Sequence, residues 1–289
     1  MKNSKRSMFS VLALTALVVA FSCGKDDENT PLKNSSDIKE EALTDLYFQD
    51  VDDLGTVALN AASDNEYSGG RVGTTIVIND YRVCDGASVT IEPGEGSTID
   101  QPYGVVTIDF GTSGCTDVKG NIRKGKIIFT YSGKRFLAGS TVVTTVEGYS
   151  INGINLEGVR TSTNVTGSTA DAPSFHVTLE NGVATFPDQS TAERESDIVW
   201  SWERAQNPLN DKLIIEQGSV ATGTTRNGTT YEVSVLGQLE YHRLCPIAVS
   251  GVKHYTLNGE TEFSVDYGNG DCDRVVTVTS GNITRTITL

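Results

Sequence analysis

The sequence predicts a mainly β protein of antiparallel, hairpin-rich sheets, arranged as a sandwich or an extended meander, with two disulfide-bracketed β repeats and one N-terminal helix. Three observations predict it. Alternating apolar runs rich in Thr, Val and Ile recur from about residue 73 to the C-terminus. Asn-Gly dipeptides, which supply the two positive φ angles of a type I′ hairpin turn, begin at Asn152, Asn181, Asn227, Asn258 and Asn269. One short pattern occurs twice: Val106-Thr107-Ile108-Asp109-Phe110-Gly111 leads to Gly114-Cys115, and Phe263-Ser264-Val265-Asp266-Tyr267-Gly268 leads to Asp271-Cys272. In both copies the Asp stands six residues before the Cys and is followed by an aromatic residue and a Gly.

In chain order, Lys2, Lys5 and Arg6 form a positive start, and an apolar stretch follows from Phe9 to Phe21 and ends at Ser22-Cys23. A membrane span needs about 20 apolar residues, so this stretch reads as a secretory signal, residues 1–22. A small residue directly before a Cys is what lipoprotein signal peptidase requires, which makes Cys23 the expected lipidation site. Residues 23–36 form the expected lipidated tether, and its Gly24-Lys25-Asp26-Asp27-Glu28 run is read as a signal for the outer face of the outer membrane. Each buried acyl CH₂ contributes about 0.8 kcal/mol, so a multiply acylated Cys holds a domain on a bilayer durably.

A helix is predicted over 37–62. Asp37 and Glu40 have capping-box spacing, and Leu43, Tyr47, Val51, Leu54 and Ala58 recur at three- and four-residue steps along one face. Asp45, Asp52 and Asp53 then read as a solvated outer face, and Gly55 weakens the second half of the helix.

Strands are expected over 74–78, 88–91, 105–110, 126–131, 141–146, 175–179, 198–202, 212–216, 230–235 and 275–279. Short turns leave no room for βαβ crossovers, which excludes a parallel sheet. The β region divides into a first cysteine-bracketed unit at 63–132, a central hairpin section at 133–237 and a second cysteine-bracketed unit at 238–289.

Apart from Cys23, the four remaining cysteines are an even number in an exported chain and read as a disulfide framework. Each copy of the repeat has an upstream anchor, Tyr81-Arg82-Val83-Cys84 or Arg243-Leu244-Cys245, which favours pairing Cys84 with Cys115 and Cys245 with Cys272. No CxxC pair exists, and His176, His242 and His254 show no ligand spacing with the cysteines, so no zinc site is expected. Asp109 and Asp266 are expected to accept hydrogen bonds from turn amides.

Removal of residues 1–22 takes three of the 23 basic groups and leaves all 37 acidic ones, a mature charge of −17. Such a chain repels nucleic acid at long range, so the expected partners are the membrane, through the anchor, and a glycan or an envelope protein.

Trp200 and Trp202 stand two apart in Ile198-Val199-Trp200-Ser201-Trp202-Glu203, which on a strand puts both rings on one face. Exposed, with Glu203 and Arg204 nearby, they make a platform for sugar rings; turned inward, they are core. Asn269, Asp271 and Asp273 alternate as at the start of a calcium loop. However, Arg274 and Ser280 stand where that loop needs Gly and Glu, so a solvated turn is expected. No G-x-S-x-G elbow, dinucleotide fingerprint, phosphate loop or H-E-x-x-H occurs, so no cofactor and no catalytic residue is assigned.

The chain resembles a group of uncharacterised cell-surface and outer-membrane lipoproteins of Bacteroidota. The resemblance rests on Ser22-Cys23, on Gly114-Cys115 with the downstream Arg123-Lys124-Gly125-Lys126-Ile127 strand, and on Asp266-Tyr267-Gly268 leading to Cys272. It implies a lipid-anchored surface protein and confers no activity. The expectation is therefore a surface lipoprotein with a non-catalytic binding or structural role, the alternative being a glycan-binding or carbohydrate-active protein.

Overall fold

A computed structural model describes residues 35–66, 74–78, 80–206, 210–242, 245 and 247–289. The signal, most of the tether including Cys23, and Arg243 and Leu244 of the second anchor lie outside the described residues.

One helix, α1 (Ser35–Glu66), is followed by sixteen strands among the described residues. These are β1 (Thr74–Ile76), β2 (Ser88–Pro93), β3 (Tyr103–Asp109), β4 (Cys115–Thr116), β5 (Ile122–Ser132), β6 (Thr141–Ile151), β7 (Ile154–Asn164) and β8 (Ser174–Thr185). They continue as β9 (Thr191–Glu203), β10 (Lys212–Ile215), β11 (Val220–Thr224), β12 (Thr230–His242), β13 (Ser250–Leu257), β14 (Thr261–Asn269), β15 (Val275–Ser280) and β16 (Ile283–Thr288). All belong to one antiparallel sheet, so of the two arrangements expected the meander is the one formed. β4 pairs only with β5. β10 and β11 together fill a single position between β9 and β12, interrupted by a turn at Gly218.

The sheet curls around the helix. Glu41 meets side chains of β9 and β13, and Asp50 meets β5. From β5 to β13 the sheet takes seven steps of about 4.8 Å each. The helix rises only about 1.5 Å per residue between the two carboxylates. A flat sheet could not reach both, so its inner face is concave and α1 lies in the trough. Two apolar clusters fill that trough. One gathers Phe48, Val51, Leu54, Ala58 and Leu59 with β2, β3, β5 and Tyr149. The other gathers Ile38 with Val233, Leu239, Tyr255, Phe263, Val265 and Val278.

Three expectations are corrected here. The capping box does not form, because the helix begins at Ser35 and Asp37 falls inside its first turn. The buried stripe differs in its first half only: Val51, Leu54 and Ala58 are buried and Tyr47 packs against the core as expected, but Leu43 is exposed and Ile38, Glu41, Thr44 and Phe48 are buried instead. Of the acidic residues expected to be solvated, Asp53 is exposed, whereas Asp45 and Asp52 are partly buried and paired. Glu41 accepts from Arg194 Nη1 at 2.8 Å and from the Tyr255 hydroxyl at 2.9 Å, with Lys253 Nζ at 3.7 Å. Asp45 meets Arg194 at 2.8 Å, Asp50 accepts from Arg123 at 2.5 Å, Asp52 meets Arg160 at 2.5 Å and Asp53 lies 3.6 Å from Arg82. The side of the helix that turns into the trough carries carboxylates as well as apolar residues, so these are paired by cations projecting from the strands.

Gly55 shows why an unfavourable helix residue stands there: a Cβ at that position would lie 2.6 Å from the ring of the buried Phe129, so its absence lets the helix settle against β5. The disulfides are Cys84–Cys115 and Cys245–Cys272, and each clasps a hairpin, β2–β3 or β13–β14. Asp109 accepts from Gly111 N–H and Asp266 from Gly268 N–H, both at 2.8 Å. Of the Asn-Gly pairs, Asn152-Gly153 makes the two-residue turn with both φ angles positive (53° and 80°), between β6 and β7. Asn181 instead marks a register shift within β8, where the paired strands oppose turning.

Candidate functional site: an aromatic cleft between helix and sheet

Between the second half of α1 and strands β5 to β9 lies a cleft with about 100 Å³ of internal space. Asp52, Gly55, Thr56 and Leu59 form the helix wall. The sheet wall carries Phe129 and Tyr131 from β5, Thr144 from β6, Ser162 from β7, Phe175 and Val177 from β8, and Trp200 and Trp202 from β9. The rim is Ile99 and Pro102 between β2 and β3, with Arg135 and Phe136 between β5 and β6.

The period-two spacing of β9 delivers both tryptophans to this one face, as the sequence spacing requires. Both are half-buried, neither core nor free platform. Trp200 stacks on its cross-strand partner Phe175, with ring centroids 4.3 Å apart and 26° between planes. Trp202 donates its indole N–H to Asp211 at 3.1 Å, which fixes the ring's orientation. Phe136 stands edge-on to both walls of this corner, 6.2 Å from Phe175 and 6.3 Å from Trp202.

Phe136 was not singled out by the sequence, and its backbone is unusual: φ is 66°, the left-handed region that bulky residues avoid. Such a conformation costs on the order of 1 kcal/mol or more and persists where surroundings over-determine it. Those surroundings are visible. The Ser168 hydroxyl donates to the Phe136 carbonyl at 2.8 Å, Asn164 Nδ2 donates to Ser168 Oγ at 2.8 Å, and the Ser140 hydroxyl donates to Asn164 Oδ1 at 2.7 Å. This buried polar relay pins the β5–β6 loop to β7 and holds the Phe136 ring over the cleft. On the helix side, Arg135 Nη1 donates to the Thr56 carbonyl at 2.8 Å.

The charges around the cleft are of two kinds. Burial pushes the Asp52 carboxyl up to about 6, with Arg160 opposing and the neighbouring Asp53 and Asp45 assisting. Burial, together with the like charge of Arg204, pulls Arg135 down to about 9. A guanidinium does not lose its proton in proteins, so that shift expresses an uncompensated cation rather than a neutral one. Arg204 lies 4.7 Å from the Phe136 ring centroid and 4.4 Å from that of Trp202, and Arg135 lies 4.4 Å from the Phe136 centroid.

Among the described residues, Asp52 is the single carboxylate on the cleft wall, and Arg160 holds it; the paired carboxylates of glycoside cleavage are not assembled there. The four paired cysteines lie away from the cleft wall. Asp273 of the last Gly-rich turn accepts from Val275 N–H at 2.9 Å. Cys23 lies outside the described residues.

Comparison of the chain with protein-family models, with curated proteins and with solved structures found no match.

Proposed function

We propose that the protein is a lipid-anchored lipoprotein of the outer membrane, facing the cell exterior, that binds a small ligand in the aromatic cleft without converting it. The observation that carries the binding reading is the meeting of both tryptophans, Phe136 and Phe175 at one half-open corner, held by hydrogen bonds that pre-set a strained loop. A concave, mostly apolar site with a few placed polar groups is the usual form of a small-molecule site. The anchoring reading rests on Ser22-Cys23 and the tether that follows.

The chain has two tryptophans and both line the cleft, so their fluorescence reports on its occupancy. Titration with a panel of aryl and alkyl small molecules is expected to change their emission saturably, and silence across the panel would remove the binding reading. For the anchor, Cys23→Ala and globomycin are each expected to block processing and release the protein from the membrane fraction. Unchanged processing and fractionation would remove that half.

Glycan binding is the second reading, favoured by the placement of Trp200 and Trp202 on one face with Ser162 at the same wall. Against it, one face of Trp200 is already covered by Phe175. Neutral oligosaccharides that alter the emission while apolar probes do not would select this reading.

A further inference from the structure

The arginines of this molecule fall into two sets. Arg82, Arg123, Arg160, Arg194 and Arg226 each face at least one carboxylate within ion-pair distance, in a chain where acidic residues outnumber basic ones by 37 to 23. Among the described residues Arg135, Arg204, Arg274 and Arg285 have none; Arg274 and Arg285 are exposed at the last hairpin, so Arg135 and Arg204 are the two that stand at the aromatic corner. Arg135 is tied only to a backbone carbonyl and to Phe136, and Arg204 lies over Phe136 and Trp202. Two like charges thus share one aromatic ring, Arg135 on the cleft lining and Arg204 beside it over Phe136 and Trp202, and that ring is held in a left-handed backbone conformation. Placing two cations near one another without a counter-charge is unfavourable in the free protein, and an anion that reaches them relieves it.

We propose that Arg135 and Arg204 form an anion clamp, and that the ligand of the cleft is a small carboxylate with an apolar ring body, its carboxylate held by the two guanidiniums and its ring laid against Phe136, Trp200 and Trp202. Guanidinium forks match carboxylates with two parallel hydrogen bonds, and aromatic walls receive a ring edge-on or offset-stacked. The cleft's internal space, about 100 Å³, is smaller than the enclosed space of about 150 Å³ that takes a whole benzene ring, so the ring enters in part and the carboxylate end stays at the open side. The net negative charge of the chain opposes any anion at long range, so the apolar body of the ligand supplies part of the affinity.

The inference rests on the cleft being a binding site, and the experiment separates the two. Tryptophan emission of the full chain is titrated with 3-phenylpropionate and with its neutral amide, 3-phenylpropionamide, at low and moderate salt. The acid is expected to bind about tenfold or more tightly than the amide, the scale of a charge-assisted hydrogen bond, with the advantage shrinking as salt rises. Arg135→Gln and Arg204→Gln are each expected to erase that advantage by lowering the acid's affinity much more than the amide's. Arg204 is exposed, so its variant is the safer one for folding, checked by an unchanged melting temperature. Equal binding of acid and amide, or an acid preference that survives both substitutions, overturns the clamp while leaving the cleft as a binding site. Absence of any response to either compound overturns the clamp and counts against the binding reading as well. Binding of glucuronate with no binding of 3-phenylpropionate overturns the apolar-ring assignment and selects the glycan reading.

Discussion

The two cysteine-clasped hairpins are built alike and are docked onto the helix differently. In each, a disulfide closes the open end and an Asp caps the following turn through the amide two residues on, Asp109 to Gly111 and Asp266 to Gly268. Each neighbourhood also offers a buried cation to a helix carboxylate and has a Tyr hydroxyl beside the pair, which accepts from the cation in the first and donates to the carboxylate in the second. Near the first hairpin, Arg123 donates both to Asp50 and to the Tyr149 hydroxyl, and Asp50 keeps 22 % of its side chain exposed. Near the second, Glu41 is 1 % exposed and is enclosed by Arg194, Lys253 and Tyr255. The lesson is that repeated sequence sets the local clasp, whereas the depth of the trough at each point sets how much the helix depends on its charges.

The largest expected effect tests that difference directly. Glu41→Ala leaves Lys253 with no carboxylate within ion-pair distance among the described residues and exposes Arg194 to partial loss of its own, so a destabilisation of about 3–5 kcal/mol is expected by chemical denaturation. Asp50→Ala, at the shallower site, is expected to cost about 2 kcal/mol. Equal losses at the two positions would break the comparison. Removing either disulfide is the control that should not discriminate. Their sequence separations, 31 and 27, predict nearly equal losses of about 3–4 kcal/mol for Cys84→Ala/Cys115→Ala and Cys245→Ala/Cys272→Ala.

Gly55→Ala sharpens the point about close approach. In an exposed helix the change would stabilise, but here the new methyl meets a buried Phe129 ring, so a loss of about 1–2 kcal/mol is expected in thermal unfolding. A gain in stability would show that β5 can yield.

The smallest effect is a pH dependence, and its sign differs between the two helix carboxylates. Burial raises Glu41, but Lys253, Arg194 and the hydrogen bonds outweigh it and hold the carboxyl below its ordinary 4.5. Its contribution is therefore complete above that value and lost as pH falls through the folded value. Asp52 runs the other way. Its folded value, about 6 against an ordinary 3.8, means the folded state holds the proton more tightly, so its contribution to stability declines as pH rises from about 4 to about 6. Denaturation profiles of the wild type and Asp52→Asn across that window should diverge, the wild type losing stability relative to the variant; parallel profiles would show that Asp52 titrates normally.

Much of the fold was legible because its signals are local. Alternation marked β2, β3, β5, β6, β8 and β9, and the Cys–Asp repeat marked the clasps together with their pairing. β7, β11, β13 and β16 went unmarked. Gly158 and charged residues interrupt the alternation of β7, and β16 is an edge strand whose residues are mostly exposed on both faces. The helix was placed and its face was right at Val51, Leu54 and Ala58, but the first half was misjudged at Leu43, because polar residues were assumed to face water and Glu41 and Thr44 face inward. At the site, the pairing of Trp200 with Trp202 was readable from period-two spacing. Phe136 and Arg135 were not, since nothing in Lys134-Arg135-Phe136-Leu137 signals a left-handed ring position.

By itself the sequence determined the antiparallel hairpin architecture, the helix ahead of it, the two clasps and the shared face of the tryptophans, because turn chemistry, disulfide parity and strand alternation act over a few residues. The tertiary structure alone decided that the sheet curls into a trough, that the helix's acids become buried ion pairs, and that a loop between β5 and β6 brings Arg135 and Phe136 to the tryptophans. Those outcomes depend on which strand positions face one another across the enclosed helix, and no local pattern encodes that distance.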